Sequence, residues 1–239
     1  LQPESLDLQW LIPGVLSSRV WIKQSNAACE SLLCQWAEPV STLAHGALGS
    51  EYPQGFLDAA WKWLLMNHPH DSMCGCSIDA VHQDMQYRFA QTRHIAERLT
   101  LEATRQLAAS VAGEVGDHEL RLAVFNPLAV PLDQVIELTL DIPDNWPTCS
   151  EMGNFEPQPT FRIYDTLGHE LPYQRLTQRM KRQRMRQYDT GFPKAYQVNE
   201  VRVGLPLQMP AMGYTTLTVR AGEAGLPTRH PLKPGLVTS

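Results

Sequence analysis

A short stretch early in the chain concentrates residue types that bind metal ions. It reads NHPHDSMCGCS, residues 67–77, and contains two histidines, an aspartate and two cysteines. Imidazole nitrogens and thiolates are the usual ligands of zinc in proteins. His68 and His70 would point to nearly opposite sides of a helix, but Pro69 between them favours extended backbone, in which both could reach one ion. The stretch is therefore a candidate metal site.

The spacing leaves three interpretations of this stretch open. A self-contained site would use His68, His70, Cys74 and Cys76. Small zinc modules usually separate their two ligand pairs by about a dozen residues or more, and the close spacing here argues against such a site. The other interpretations are a partial site that another region of the protein completes, and a loop that only caps a helix.

Before residue 115, the period of the hydrophobic pattern predicts three amphipathic helices. The first runs from about Ser17 to Ala47. Its apolar stripe is predicted to be Leu16, Val20, Ala27, Leu32, Trp36 and Leu43. The second is FLDAAWKWLLMN, residues 56–67, which Pro69 ends because the residue before a proline avoids the helical region. The third begins after Ser77. Its predicted stripe is Ile78, Val81, Met85, Phe89, Ala96, Leu99 and Leu107.

After residue 115, apolar and polar residues alternate between breaks of Pro, Gly, Asn and Asp, which is typical of antiparallel strands. The segment DTLGHE, residues 165–170, predicts a hairpin turn with a positive φ at Gly168. The predicted fold class is therefore α+β and multidomain. A three-helix bundle at residues 1–115 precedes an antiparallel, β-sandwich-like domain at residues 116–221, and residues 222–239 have the composition of a linker or tail.

Composition and charge exclude several classes of protein. The 239 residues are 43% hydrophobic, enough for a core, but no apolar stretch approaches the roughly 20 residues that cross a bilayer. A formal charge of −5 argues against a general nucleic-acid binder. The five cysteines do not suggest a disulfide framework in a chain of this length. We therefore expect reduced thiols, a cytoplasmic location, and neither membrane nor nucleic acid as a partner.

Several other features could bind ligands but have simpler explanations. The run RLTQRMKRQRMRQ, residues 175–187, has six basic side chains without interleaved aromatic residues, so we expect a solvated loop between strands. Trp61 and Trp63 lie two apart on a predicted helix, so at least one should pack internally. In the segment SSR, residues 17–19, a serine could cap the first helix, or the segment could approach another domain. Six histidines without an arranged carboxylate partner are predicted to be packing or surface residues: His45, His82, His94, His118, His169 and His230.

Longer matches carry a family resemblance. NHPHDSMCGCSIDAVHQDM, together with GVLSSRVWIKQSN and WAEPVSTLA, resembles the middle region of the glycoside hydrolase family 38 α-mannosidases, especially the bacterial branch that includes mannosylglycerate hydrolases. VFNPLAVPLDQV, YDTLGHELPYQ and PAMGYTTLTV are more loosely similar to the β-domain that follows in that family. The family pattern is a His-Asp pair followed by small or hydroxyl residues around a glycine, which His70, Asp71 and Gly75 match.

The resemblance implies roles for the matched residues. His70 would be a ligand of the catalytic divalent cation, usually zinc, and Asp71 would contact sugar hydroxyls near it. Cys74 and Cys76 occupy positions that carry threonines in other branches, so the resemblance argues against a ligand role for them. The family's cation binds the 2- and 3-hydroxyls of the mannoside, while two carboxyl groups about 5 to 5.5 Å apart perform retaining hydrolysis.

The resemblance also implies that these residues are only part of an enzyme. Family members carry an N-terminal catalytic domain with a His-x-Asp metal pair and both catalytic aspartates, which no segment of the chain matches. We therefore expect no catalytic residue here. The expected function is that of a portion of a metal-dependent retaining α-mannosidase, inactive alone, which acts on α-mannosides or mannosyl conjugates with a catalytic domain of the same polypeptide.

Two other functions are left open by the sequence. One is a non-catalytic carbohydrate-binding or scaffold module, in which the strands bind glycan and the helices are structural. The other is a small zinc-binding regulatory protein that uses the local His/Cys cluster. Association into a homo-oligomer is compatible with each of these functions.

Overall fold

The structure is a computed structural model that describes residues 14–111, 113–150, 157–188 and 190–223. All but the first two residues of the predicted tail at 222–239 lie outside the described residues. The chain divides into two compact units, Leu1–Ser110 and Val111–Ser239. The first is helical and the second is built from antiparallel strands, which confirms the predicted α+β fold class.

The first predicted helix is a continuous helical run that follows a short separate helix. Helix α1 (Gly14–Ser17) is followed by α2 (Val20–Ser31). The backbone remains helical at Leu32 and continues through a π-helical segment (Leu32–Ala37) into α3 (Glu38–Leu48). Gly49 ends this run with a left-handed conformation, which glycine adopts at little cost.

Three further helices complete the described part of the helical unit. Helices α4 (Gln54–Leu65) and α6 (Asp79–Val111) correspond to the second and third predicted helices. Between them lies α5 (His70–Cys74), a helix of five residues within the candidate stretch. Most of the stripe predicted for α6 is buried, including Met85 and Phe89.

The buried face of the first helical run differs from the predicted one. Leu16 and Val20 expose 72% and 47% of their surface, and Ala27 is exposed as well. The buried apolar positions are Ile22, Cys29, Leu33, Ala37, Val40 and Ala44. Apolar residues occur on several sides of this run, so periodicity alone did not select the correct face. The π-helical segment also adds a residue to a turn and rotates the face that follows.

The β unit contains a four-stranded antiparallel sheet with the order β1-β9-β5-β6. Strand β1 (Glu119–Asn126) pairs along its full length with β9 (Gly213–Ala221), which also pairs with β5 (Phe161–Tyr164). The predicted hairpin turn joins β5 to β6 (Glu170–Leu171). Gly168 has φ +82° in this turn, as the sequence predicts.

A second, three-stranded antiparallel sheet has β8 at its centre. Strand β8 (Lys194–Met209) pairs with β2 (Leu132–Pro143) on one side and β7 (Gln174–Arg186) on the other. The two-residue strands β3 (Thr148–Cys149) and β4 (Gln158–Pro159) pair with each other.

The two larger sheets bury their inner faces in one shared core, as the predicted β-sandwich requires. The four-stranded sheet contributes Phe161 and Leu217, and the three-stranded sheet contributes Leu140 and Val201, all at most 2% exposed. Complete burial of such side chains stabilises the fold by about 1.5 to 3 kcal/mol each.

The basic run RLTQRMKRQRMRQ is not the predicted loop. All but its last residue lie in β7, an edge strand of the three-stranded sheet. The strand carries bulges between Arg175 and Thr177 and between Arg179 and Arg182. The many charged residues made the strand difficult to recognise from the sequence. On an edge strand, charged side chains hinder pairing with the edges of other sheets.

Candidate metal and sugar site

The candidate residues lie on α5, a short helical turn that follows α4. Pro69 precedes it with an extended backbone, ψ 137°, and its carbonyl accepts a hydrogen bond from the Met73 N–H at 3.0 Å. His70 is the first helical residue. Gly75 ends the turn with φ +84°, in the left-handed region that favours glycine. So short a helix depends on contacts from other elements to fix its position.

The side chains of His70 and Asp71 are 90% and 63% exposed. Nε2 of His70 lies 3.4 Å from Oδ1 of Asp71. A carboxylate beside one ring nitrogen orients the imidazole and leaves the other nitrogen, here Nδ1, available to a cation. A structural zinc ion takes about four protein ligands, so this pair fits a cation only as one part of a larger ligand set.

The two cysteines have different surroundings. The exposed Cys76 thiol donates a hydrogen bond to Oδ1 of Asp71 at 3.4 Å, and the Cys76 N–H donates to the Asp71 carbonyl at 3.2 Å. The thiol hydrogen bond to this carboxylate stabilises the protonated form and raises the pKa of Cys76. Cys74 is half-buried, and its carbonyl accepts a hydrogen bond from Lys23 Nζ at 3.3 Å. Cys76 therefore acts as a donor to Asp71 in this arrangement.

Side chains at the start of α2 hold the C-terminal end of α5. Ser18 Oγ and Arg19 Nε both donate to the carbonyl of Gly75, at 3.4 and 3.1 Å. Lys23 Nζ donates to the carbonyls of Cys74 and Ser18, at 3.3 and 2.6 Å. Cationic donors suit the unpaired carbonyls at the end of a helix. The turn is thus anchored through its last carbonyls, while His70 and Asp71 at its start remain exposed.

Arg19 has a backbone conformation that is unusual for its type. Its φ of 43° and ψ of 57° are left-handed, a region that costs a residue with a Cβ about 1 to 2 kcal/mol. Its guanidinium also donates to Oδ1 of Asp79, in the first turn of α6, at 2.7 Å. Arg19 therefore connects α2, α5 and α6. Such strain persists where surrounding contacts fix the residue, and it is common at functional sites.

The four candidate ligands of a self-contained zinc site lie apart in the described structure. His68 lies with Nε2 2.8 Å from Oδ1 of Asn26 on α2, so that nitrogen is engaged away from the turn. In the part of the chain that the structure describes, no three His, Cys, Asp or Glu side chains gather closely enough to hold a metal ion. The structure does not assemble His68, His70, Cys74 and Cys76 into one site.

Only some of the anchoring residues were singled out from the sequence. The segment SSR was expected to cap a helix or approach another domain. Ser17 Oγ instead donates to the Gly14 carbonyl, and no side chain caps α2. Lys23 was not singled out at all. These anchoring contacts join residues 51 to 60 positions apart, which no local pattern reveals.

The other candidates have structural roles. Trp61 Nε1 donates to Oε1 of Glu38 at 2.7 Å, and Trp63 packs edge-to-face on Tyr87 with ring centroids 5.8 Å apart. His169 does have a carboxylate partner, contrary to expectation: Nδ1 lies 3.2 Å from Oδ2 of Asp165 within the Gly168 turn. This pair stabilises a turn and lies in the β unit.

Part of the chain is similar to known proteins. Residues 11–107 match the family model described as the alpha mannosidase middle domain. Over 95 residues the chain is 39% identical to a protein of Halalkalibacterium halodurans named as a putative mannosylglycerate hydrolase. The matched segment is 40% of this chain but only 10% of that protein.

Two solved structures are similar over nearly the whole chain. One is an alpha-mannosidase from Enterococcus faecalis, with a TM-score of 0.76 and 26% identity over 91% of this chain and 25% of that one. The other is a glycosyl hydrolase family 38 protein from Enterococcus faecalis, with a TM-score of 0.71 and 26% identity over 90% of this chain and 26% of that one. The chain thus spans about a quarter of these structures. Residues 11–107 thus match an alpha mannosidase middle domain, and the chain as a whole is similar to part of two solved structures, one an alpha-mannosidase and the other a glycosyl hydrolase family 38 protein.

Proposed function

We propose that the chain is a portion of a metal-dependent retaining α-mannosidase. His70 supplies one ligand to a divalent cation, with zinc as the first choice. Asp71 contacts hydroxyl groups of an α-mannoside or mannosyl conjugate. The other ligands and the two catalytic carboxyl groups belong to a catalytic domain elsewhere in the same polypeptide. The named activities of the similar proteins support this substrate class.

The observation that carries the proposal is an exposed His-Asp pair on an anchored turn. Ser18, Arg19 and Lys23 fix the carbonyl end of α5, although His70 itself is 90% exposed. Metal and substrate ligands need placement within about 0.5 Å, which requires support from packed elements. The left-handed backbone of Arg19, which donates to this turn, is of a kind that is common at functional sites.

The chemistry of the pair fits this role. A neutral His70 ring offers a nitrogen lone pair to a cation, and Asp71 beside the other nitrogen orients the ring. An ionised Asp71 can also accept hydrogen bonds from sugar hydroxyls. When bound, the cation would supply Lewis-acid stabilisation of developing charge on the sugar.

The cellular location is part of the same proposal. All five cysteines are unpaired thiols, which agrees with a cytoplasmic location. Among the described residues, no helix combines the length and the apolar character that crossing a bilayer requires.

The test uses the intact polypeptide that contains this chain and its catalytic domain. We expect His70→Ala to remove the bound metal and the α-mannosidase activity together. Asp71→Asn should still bind the metal, with an affinity about 10- to 100-fold lower. Its turnover should fall by a larger factor than its metal affinity. Cys74→Ser and Cys76→Ser are the matched controls and should leave the metal content nearly unchanged. Metal analysis and hydrolysis of an aryl α-mannoside provide the measurements.

The isolated 239-residue chain separates this proposal from its alternatives. We expect it to hydrolyse no aryl α-mannoside and to hold no stoichiometric zinc, because a shared site is incomplete without its other ligands. Zinc that is lost on Cys74→Ser or Cys76→Ser would support a self-contained site instead. Mannoside binding by the chain, with no effect of His70→Ala on the intact enzyme, would support a non-catalytic carbohydrate-binding module.

A further inference from the structure

The end of α5 brings two side chains of the candidate site together. The Gly75 N–H donates to the carbonyl of Ser72, and the Cys76 N–H donates to the carbonyl of Asp71, both at 3.2 Å. This pair of hydrogen bonds is a Schellman motif, in which the residue after the glycine contacts the residue four positions before the glycine. Apolar side chains often make that contact. In this chain the thiol of Cys76 faces the carboxylate of Asp71 instead.

The Cys76 thiol lies where it can donate to Asp71. Its Sγ is 3.4 Å from Oδ1 of Asp71 and 3.7 Å from the carbonyl oxygen of the same residue. An ionised carboxylate can only accept hydrogen bonds, so the thiol keeps its proton in this contact. The hydrogen bond also raises the pKa of Cys76, which favours the protonated donor near neutral pH.

The two oxygens of the Asp71 carboxylate have different surroundings. Oδ1 accepts from the Cys76 thiol and lies 3.4 Å from Nε2 of His70. Among the residues that the structure describes, none donates a hydrogen bond to Oδ2, and 63% of the side chain is exposed. A hydrogen bond to one oxygen orients the carboxylate and therefore also sets the direction of the other oxygen. Oδ2 is thus the oxygen that can meet a ligand.

We propose that Cys76 is a positioning residue for the sugar contact of Asp71. Its thiol holds Oδ1, so that Oδ2 accepts a hydrogen bond from a hydroxyl group of the mannoside in a fixed direction. This inference rests on the proposed function, because it requires Asp71 to contact the sugar. It gives Cys76 a role in substrate binding and none in metal binding. The Cys74 thiol has no hydrogen-bond partner among the described residues, and only the carbonyl of Cys74 accepts from Lys23.

The test is hydrolysis of an aryl α-mannoside by the intact polypeptide, with the metal content measured for each variant. Cys76→Ala removes the donor, and we expect kcat/KM to fall about tenfold while the metal content stays at the parent value. Cys76→Ser supplies a hydroxyl donor and should bring kcat/KM back to within about threefold of the parent. Cys74→Ala removes the neighbouring thiol and is the matched control, with kcat/KM within about twofold of the parent.

Protection of the thiol provides a second readout that does not depend on turnover. Saturating methyl α-mannoside should slow the alkylation of Cys76 by iodoacetamide in the intact polypeptide. Alkylation of the exposed Cys34 should proceed at an unchanged rate, because of these two thiols only Cys76 lies beside the proposed sugar contact. Mass spectrometry of the modified peptides follows each thiol separately.

Several outcomes would overturn the proposal. They are a Cys76→Ala enzyme with parent kcat/KM, Cys76→Ser as impaired as Cys76→Ala, Cys74→Ala as impaired as Cys76→Ala, and alkylation of Cys76 that methyl α-mannoside does not slow. Thermal unfolding confirms that each variant is folded. If Asp71→Asn is impaired and Cys76→Ala is not, this inference fails and the proposed function stands. If Asp71→Asn keeps the parent turnover, the sugar contact of Asp71 fails and the role of Cys76 fails with it.

Discussion

At the residue level, Gly75 is constrained by both backbone and packing. Its φ is +84°, and a Cβ added there would lie 2.9 Å from Ser18 Oγ and 3.3 Å from Arg19 Cβ. Any other residue type would be strained by the positive φ and would require the Ser18 side chain to rotate and Arg19 to shift by a few tenths of an ångström. This explains why a glycine closes the turn that carries His70 and Asp71.

We therefore expect Gly75→Ala to lower the free energy of unfolding by about 2 to 4 kcal/mol, from the left-handed backbone and the close contacts together. Gly49→Ala is the matched control, because Gly49 has φ +68° but nothing within 4 Å of an added Cβ. Its free energy of unfolding should fall only by the cost of the left-handed backbone, about 1 to 2 kcal/mol. Urea denaturation measures both values. Equal losses would show that the contacts of Ser18 and Arg19 with the turn do not constrain it.

The Cys76 thiol reports on the state of Asp71. The hydrogen bond to this carboxylate raises the pKa of Cys76, so little of the reactive thiolate is present near neutral pH. Asp71→Asn removes the charge, and we expect the pKa of Cys76 to fall and its alkylation by iodoacetamide to become faster at pH 7 to 8. Mass spectrometry of the modified peptide follows Cys76 separately from the other thiols. An unchanged rate in Asp71→Asn would contradict the hydrogen bond.

At the level of elements, the sequence pattern correctly predicted those features whose conformation depends on interactions between neighbouring residues. The hairpin turn at Gly168 was predictable because its determinants lie within five residues. Gly168 allows the positive φ, and the Asp165 side chain accepts hydrogen bonds from the Leu167 and His169 N–H groups. The α6 stripe was predictable because one face of that helix is strongly apolar. The first helical run was not, since apolar residues on several sides leave the choice of face to tertiary packing.

The same distinction applies to the candidate site. His70 and Asp71 could be proposed from the sequence because their motif is continuous. Their anchoring by Arg19 and Lys23 was not predicted, because it depends on how α2 packs against α5. The edge strand β7 was missed for a related reason: its pairing with β8 decides its conformation, while its six basic residues suggested a loop.

The ion pair between Arg184 and Glu200 predicts how the three-stranded sheet responds to acid. The hydrogen bond from Arg184 lowers the pKa of the Glu200 carboxyl below its usual range. A carboxyl whose pKa is lowered in the folded state stabilises the fold above its unfolded pKa, and this contribution is lost as the pH falls through the folded pKa. Glu200→Gln should therefore be less stable than the parent at pH 7, and the difference should shrink below about pH 4.5.

Urea denaturation from pH 7 to 3 measures this difference. Glu114→Gln is the control, because Glu114 is exposed in the segment before β1. We expect that variant to follow the parent at every pH. A difference between Glu200→Gln and the parent that stays constant down to pH 3 would show that the ion pair does not contribute in the folded state.

At the level of the whole chain, each of the two units has its own hydrophobic core. The helical core includes Leu33, Leu64 and Met85, and the core between the two sheets includes Phe161 and Leu205. No residue is shared between these two clusters. A unit with its own core can in principle fold independently, and the segment that joins such units is the weakest point against proteases.

The joining segment follows the end of α6 at Val111 and precedes β1 at Glu119, and its residues 113–118 are all exposed. We expect a nonspecific protease at low concentration to cut first between Gly113 and Asp117, because exposed backbone outside helices and sheets enters a protease active site without prior unfolding. The products should be a helical fragment and a β fragment, identified by mass and circular dichroism. A first cut within residues 79–108, inside α6, would show that this helix opens more readily than the segment and would contradict the assignment of two independent units.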